Sequence, residues 1–160
     1  MNMTSKLDIL QKHTMTENGK IAIFGGGYYG KRLYKMLKVS KIEPDMFLDN
    51  NKLKWERSVI DGVVCKNPAT MLSNADNILI IVAVKYHQED IREDLLKRGY
   101  RHIILMSEVE KELEEKIEGL IDDSLIDLIS YMAESGKGTD QCLAAGVYPM
   151  RVHFFNLYPI

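Results

Sequence analysis

Cysteine, tryptophan and proline are scarce in this chain of 160 residues, which holds two, one and four of them. Cys65 and Cys142 make no disulfide framework, so the fold must rest on a packed core, and 46% hydrophobic content supplies one. Charge of one sign is also lacking. Lys and Arg number 21 against 23 Asp and Glu, a net charge of −2, which excludes the strong basic bias of a protein held to nucleic acid through phosphates. No run is long and apolar enough to span a membrane, and the first residues have no charged-then-apolar leader pattern. A reduced, cytoplasmic setting is the expectation.

The acids that are present crowd into residues 108–127, which hold nine against two bases, the pattern of a solvated helix face. Apolar residues are patterned as well. Leu7 and Leu10 stand at helical spacing before the Asn18-Gly19 turn pair, giving a leading helix within residues 1–18. Residues 19–106 then alternate strand and helix signals. Lys20 to Phe24, Asp45 to Leu48, Val63 to Cys65, Asn77 to Val84 and His102 to Met106 read as about five strands. The fourth, "NILIIVAV", is apolar almost throughout and must be covered on both faces, as in a central parallel strand.

Leu33, Met36 and Leu37 mark the helix after the first strand, Asn67-Pro68 opens another, and residues 88–98 form a third that ends at Gly99. The order predicts an α/β fold with an open, doubly wound, mostly parallel sheet of Rossmann-like type, followed by an added carboxyl-terminal helix and tail. Ser107 with Glu110 has capping-box spacing, and Val109, Leu113, Ile117, Leu120, Leu125, Leu128 and Met132 carry an apolar stripe over residues 107–135, with Gly119 as a place to bend. That stripe can cover the sheet or pair two chains as a homodimer. Residues 136–160 open with the linker-like Gly136-Lys137-Gly138.

Gly25, Gly27 and Gly30 stand in G-x-G-x-x-G spacing between the first strand and its helix. The first permits a tight turn, the second lets a phosphate reach the backbone, and the third allows the helix to pack closely on the strand. Free N–H groups and the helix dipole favour an anion there. Gly25, Gly26, Gly27, Tyr28, Tyr29 and Gly30 are thus the candidate cofactor-binding turn, and Asp49 and Asn50 its partners at the end of the second strand. A carboxylate at Asp49 can accept from ribose hydroxyls and repel a 2′-phosphate, which favours a nucleotide-sugar or an NAD-like dinucleotide over NADP. The plainer alternative is that the glycines only turn the chain and Asp49 caps a turn with Asn50 and Asn51.

Across the crevice, Lys85-Tyr86-His87 forms the second wall: Tyr86 can stack on a base or sugar, and His87 can bond a phosphate or exchange a proton. Equally, Tyr86 can cover the sheet edge and His87 lie at the cap of the next helix. Tyr28 and Tyr29 can line a ligand or simply pack. No serine elbow, no Tyr-x-x-x-Lys pair beside a serine and no clustered His or Cys spacing is present, so no catalytic or metal-binding residue is assigned. His13, His102 and His153 are scattered, and Trp55 reads as an anchor for the loop after the second strand.

The stretches "IAIFGGGYYGKRL", "FLDNNKLKWERSVIDGVVCKNP" and "NILIIVAVKYHQEDIREDLLKRGY" resemble the small Rossmann-like domain that precedes several bacterial enzymes of nucleotide-sugar and surface-polysaccharide metabolism. In the sugar acyltransferases among them this domain contributes to nucleotide-sugar binding, which would put Gly25, Gly27 and Gly30 near the phosphates and Asp49 near the base or ribose. Where that family's turn has a His or Ser, this chain has Tyr28 or Tyr29. The tail "GTDQCLAAGVYPMRVHFFNLYPI" is similar to the entry segment of some class I S-adenosylmethionine methyltransferases, and S-adenosylmethionine enters only with a following domain. On the glycine turn itself that ligand is disfavoured, because Phe24 stands where such enzymes usually carry an acid.

The expectation is a nucleotide or nucleotide-sugar binding module of a larger sugar-modifying enzyme, with no catalysis of its own. The alternatives are an NAD-dependent oxidoreductase or epimerase-type domain and a purely structural dimerisation domain.

Overall fold

The computed structural model describes the backbone of residues 5–134 and side chains as far as Asp123. It divides the chain into two units, residues 1–118 and 119–160. The linker and tail of residues 136–160, with Cys142 and His153, lie outside the described residues, as do the side chains of Leu125, Leu128 and Met132.

The first unit begins with helix α1 (Lys6–Thr14) and strand β1 (Lys20–Phe24), continues through helix α2 (Tyr28–Val39) and strand β2 (Met46–Leu48), and adds β3 (Ser58–Ile60) and β4 (Val63–Lys66). Strand β5 (Ile78–Val82), helix α3 (Gln88–Arg98) and strand β6 (His102–Leu105) complete the sheet, and helix α4 runs from Met106 to Glu134. The strand order is β3-β4-β2-β1-β5-β6, with only the β3–β4 pair antiparallel. This is the Rossmann-like, doubly wound sheet, whose direction of winding reverses between β1 and β5.

Strand periodicity sorts the core into two layers. Ala22, Phe24, Met46, Leu48, Ile80 and Val82 share one cluster with Leu95 of α3 and Tyr100. The opposite face takes α2, where Tyr34 meets Phe47 with ring centroids 5.9 Å apart. All of β5 is buried, as its unbroken apolar run requires. Tyr100 is buried and its hydroxyl donates to the Pro68 carbonyl at 2.6 Å. Tyr100→Phe is expected to cost about 1 kcal/mol in urea unfolding, the net value of one hydrogen bond with the ring packing kept.

Local chemistry explains the element ends. Ser5 caps α1 by accepting from Asp8 N, while Glu112 of α4 accepts from the N–H groups of Lys6 and Leu7 at 3.3 and 3.0 Å. Helix α3 stops at Gly99, whose φ of +109° suits a residue without Cβ, and the Gly99 and Tyr100 N–H groups return to Leu96 and Leu95.

Three details differ from the sequence expectation. Ser58–Ile60 is a sixth strand within the stretch that reads as a loop, formed because Asp61-Gly62, both at positive φ, make a tight hairpin turn to β4. Pro68–Asn77 is 3-10 helix with a non-helical Asn74, although Asn67 caps it as expected by accepting from Ala69 N. Ser107 and Glu110 form no capping box: Glu108 accepts from Leu105 N at 2.7 Å, Ser107 bonds Gln88, and Glu110 pairs with Arg32 of α2.

Val109, Leu113 and Ile117 of the helical stripe are buried within the first unit. No described helix is long and apolar enough to cross a membrane.

Candidate functional site

The reversal of strand order places the ends of β1 and β5 side by side, and the glycine turn follows β1 there. Gly25 N donates to Leu48 O at 2.8 Å, and Ala83 N to Phe24 O at 2.9 Å, so the turn is stitched to the ends of both β2 and β5. Gly25 has a φ of +109°, and a Cβ on it would lie 2.9 Å from the Ala83 carbonyl oxygen. At Gly30 a Cβ would lie 1.8 Å from Gly25 O. These two glycines are demanded by the fold.

Gly27 is different. It has an ordinary extended backbone (φ −100°), and a Cβ there would have nothing within 4 Å. Gly27 is the N-cap of α2, with no side-chain cap and no acid in the first helical turn. No side chain of the N-cap residue takes the N–H groups of the first turn of α2.

Asp49 follows β2 and reaches the turn from the side. Its Oδ2 accepts from Gly26 N at 2.9 Å and from Lys54 Nζ at 2.7 Å, and its Oδ1 accepts from Asn51 N at 2.8 Å. Burial pushes the carboxyl up, but the Lys54 ammonium and the two backbone N–H groups outweigh that and hold it below the ordinary Asp value. A carboxyl lowered in the folded state contributes stability above its unfolded pKa and loses that contribution as pH falls through the folded one. The stability difference between the parent protein and Asp49→Asn should therefore be full at neutral pH and shrink below about pH 4, as read by urea unfolding across a pH series.

Asp49 thus serves the turn as an internal strut as well as the turn cap for Asn51. Asn50 is turned to another partner, accepting from Arg98 Nη1 at 3.2 Å. The indole of Trp55 donates to Asp49 O at 2.7 Å and anchors this loop, as its position in the sequence suggests. Lys54 is the residue that sequence reasoning missed, since a lysine among other loop lysines carries no motif.

Tyr28 is exposed and packs edge-on to Tyr29 with centroids 5.2 Å apart. Tyr86, 65% exposed, has the Lys85 ammonium 5.0 Å from its ring centroid. His87 is the N-cap residue of α3 in a left-handed conformation (φ +59°), and its Nδ1 lies 3.0 Å from Asp90 Oδ2. The loop after β5 meets the turn through Ala83 and Val84.

Cys65 of β4 is buried. Burial, with the nearby Asp49 charge, pushes its thiol up to about 11. In a Cys142→Ser background the folded protein should react with a thiol reagent at pH 8 only at its unfolding rate, about as slowly as other buried thiols. Among the described residues no group of three His, Cys, Asp or Glu side chains is placed to hold a metal ion.

No protein-family model matches the chain, and no curated protein matches it.

Proposed function

We propose that the chain is a nucleotide- or nucleotide-sugar-binding module whose ligand lays its phosphates over Gly27 and the first turn of α2. One observation carries this reading: Gly27 is the fingerprint glycine that the fold does not need, with an ordinary φ and open space where its side chain would stand. A glycine there leaves the backbone open to the close approach of a phosphate from outside the chain. The strand reversal between β1 and β5 supports the same location, because open α/β sheets bind ligands outside the carboxyl ends of their strands at such a point.

Service to a larger sugar-modifying enzyme of surface-polysaccharide metabolism, such as a methyltransferase, is the part of the proposal supported by the sequence resemblance. Calorimetric titration with NAD, UDP, UDP-sugars and S-adenosylmethionine tests it. Saturable heat with the diphosphate-bearing ligands is expected, and silence from all of them would leave the turn a strand-to-helix connection.

A further inference from the structure

Lys52–Lys54 forms a single 3-10 turn, capped by Asn51, that folds the chain back toward the glycines. It brings Lys54 Nζ to 2.7 Å from Asp49 Oδ2 and lays Lys54 Cδ 3.6 Å from where a Cβ on Gly26 would stand. The Asp49 side chain is 14% exposed, and its carboxylate already accepts from the Gly26 and Asn51 N–H groups as well as from Lys54. The Lys54 side chain is 37% exposed, and its ammonium has three protons, one of which Asp49 takes.

The acid that could have greeted a ribose already accepts three hydrogen bonds and is paired with the ammonium, so the repulsion of phosphate expected from a lone carboxylate is reduced. The cation beside it retains donors for a further acceptor, one residue from the open position at Gly27.

We propose that Lys54 ion-pairs directly with the phosphate of the bound ligand, so that this site selects a nucleoside phosphate by its anionic charge beside Gly26 and Gly27 and not by a ribose diol on Asp49. The inference rests on the nucleotide-binding reading above and names the group that reads the ligand.

The test is calorimetric titration of the parent protein, Lys54→Met and Lys54→Arg with UDP, uridine and inorganic pyrophosphate, with melting curves to establish that each variant is folded. Lys54→Met should weaken UDP and pyrophosphate about tenfold or more, the value of a lost charge-assisted hydrogen bond, while uridine changes less than about twofold. Lys54→Arg keeps the charge and should stay within about threefold of the parent.

A double variant, Lys54→Met with Asp49→Asn, leaves no carboxylate charge to repel phosphate and should still bind UDP weakly. Equal UDP affinity in Lys54→Met and the parent, or equal losses for UDP and uridine, overturns the role of Lys54 while nucleotide binding stands. A parent protein that binds neither UDP, NAD nor pyrophosphate overturns the binding reading itself, and this inference with it.

Discussion

Gly30→Ala should strongly destabilise the part of the fold that the glycine turn holds together. The added Cβ would lie 1.8 Å from the Gly25 carbonyl oxygen and 3.0 Å from its carbon, with Phe47 Cε1 at 3.3 Å. Two of those three atoms are backbone, and the Gly25 backbone is itself held by the bond from its N–H to Leu48 O. No side-chain rotation relieves the contact. Either the turn leaves β2 or α2 lifts from the sheet, and lifting α2 exposes Leu33 and Leu37, which are fully buried.

Alanine in a helix interior gains about 1 kcal/mol over glycine, and overpacking against atoms that cannot move costs about 3 kcal/mol or more, so the clash wins. Against a total stability of about 5–15 kcal/mol that loss is large, and it should lower the melting temperature by about 10 °C. A variant that melts within about 2 °C of the parent would show that the helix and turn are not in the contact described.

How much of this is legible in the sequence differs from residue to residue. The roles of Gly25 and Gly30 follow from the backbone: a strand that must turn sharply into a helix packed on it needs those two positions free of Cβ, whatever else the chain does. Strand β5 was legible for a similar reason, since an unbroken apolar run has few places to go except the centre of a sheet. Strand β3 was not, because three residues carry too little periodicity; its signal was the Asp61-Gly62 pair between β-branched residues, a stronger indicator of a hairpin than of a loop.

The carboxyl-terminal helix shows the same limit at one position. Ser107 and Glu110 have capping-box spacing, but Arg32 on α2 claims Glu110, and Glu108 supplies the carboxylate at the helix start. Sequence spacing offers two acids for one cap, and tertiary pairing chooses between them.

The sequence locates Asp49 but only part of its partners. Its position at the end of a strand next to a glycine turn is a matter of chain order, and its bond to Asn51 N was the turn-capping alternative. Its bonds to Gly26 N and Lys54 depend on a loop that folds back, and loop trajectories leave no periodic trace. In the proposed complex a phosphate at this turn would meet the N-terminus of α2 and Lys54, with the Gly26 N–H already given to Asp49.

Gly27→Ala should have the opposite signature to Gly30→Ala: folding kept and binding lost. With φ at −100° and nothing within 4 Å of the new methyl group, the folded chain accommodates alanine without strain. Alanine is the poorer N-cap, yet it also reduces the freedom of the unfolded chain; each effect is worth about 0.5–1 kcal/mol and they oppose one another. Stability should thus stay within about 1 kcal/mol of the parent.

A ligand phosphate drawn to the α2 N–H groups must come within hydrogen-bond reach of the backbone at that point, and the methyl group occupies the space it needs. Affinity for UDP or a UDP-sugar should fall more than about tenfold, or 1.4 kcal/mol. The measurement is a titration of folded Gly27→Ala beside the parent. If alanine at this position binds every nucleotide that the parent binds, and as tightly, then no phosphate approaches Gly27 and the open space above it holds only water.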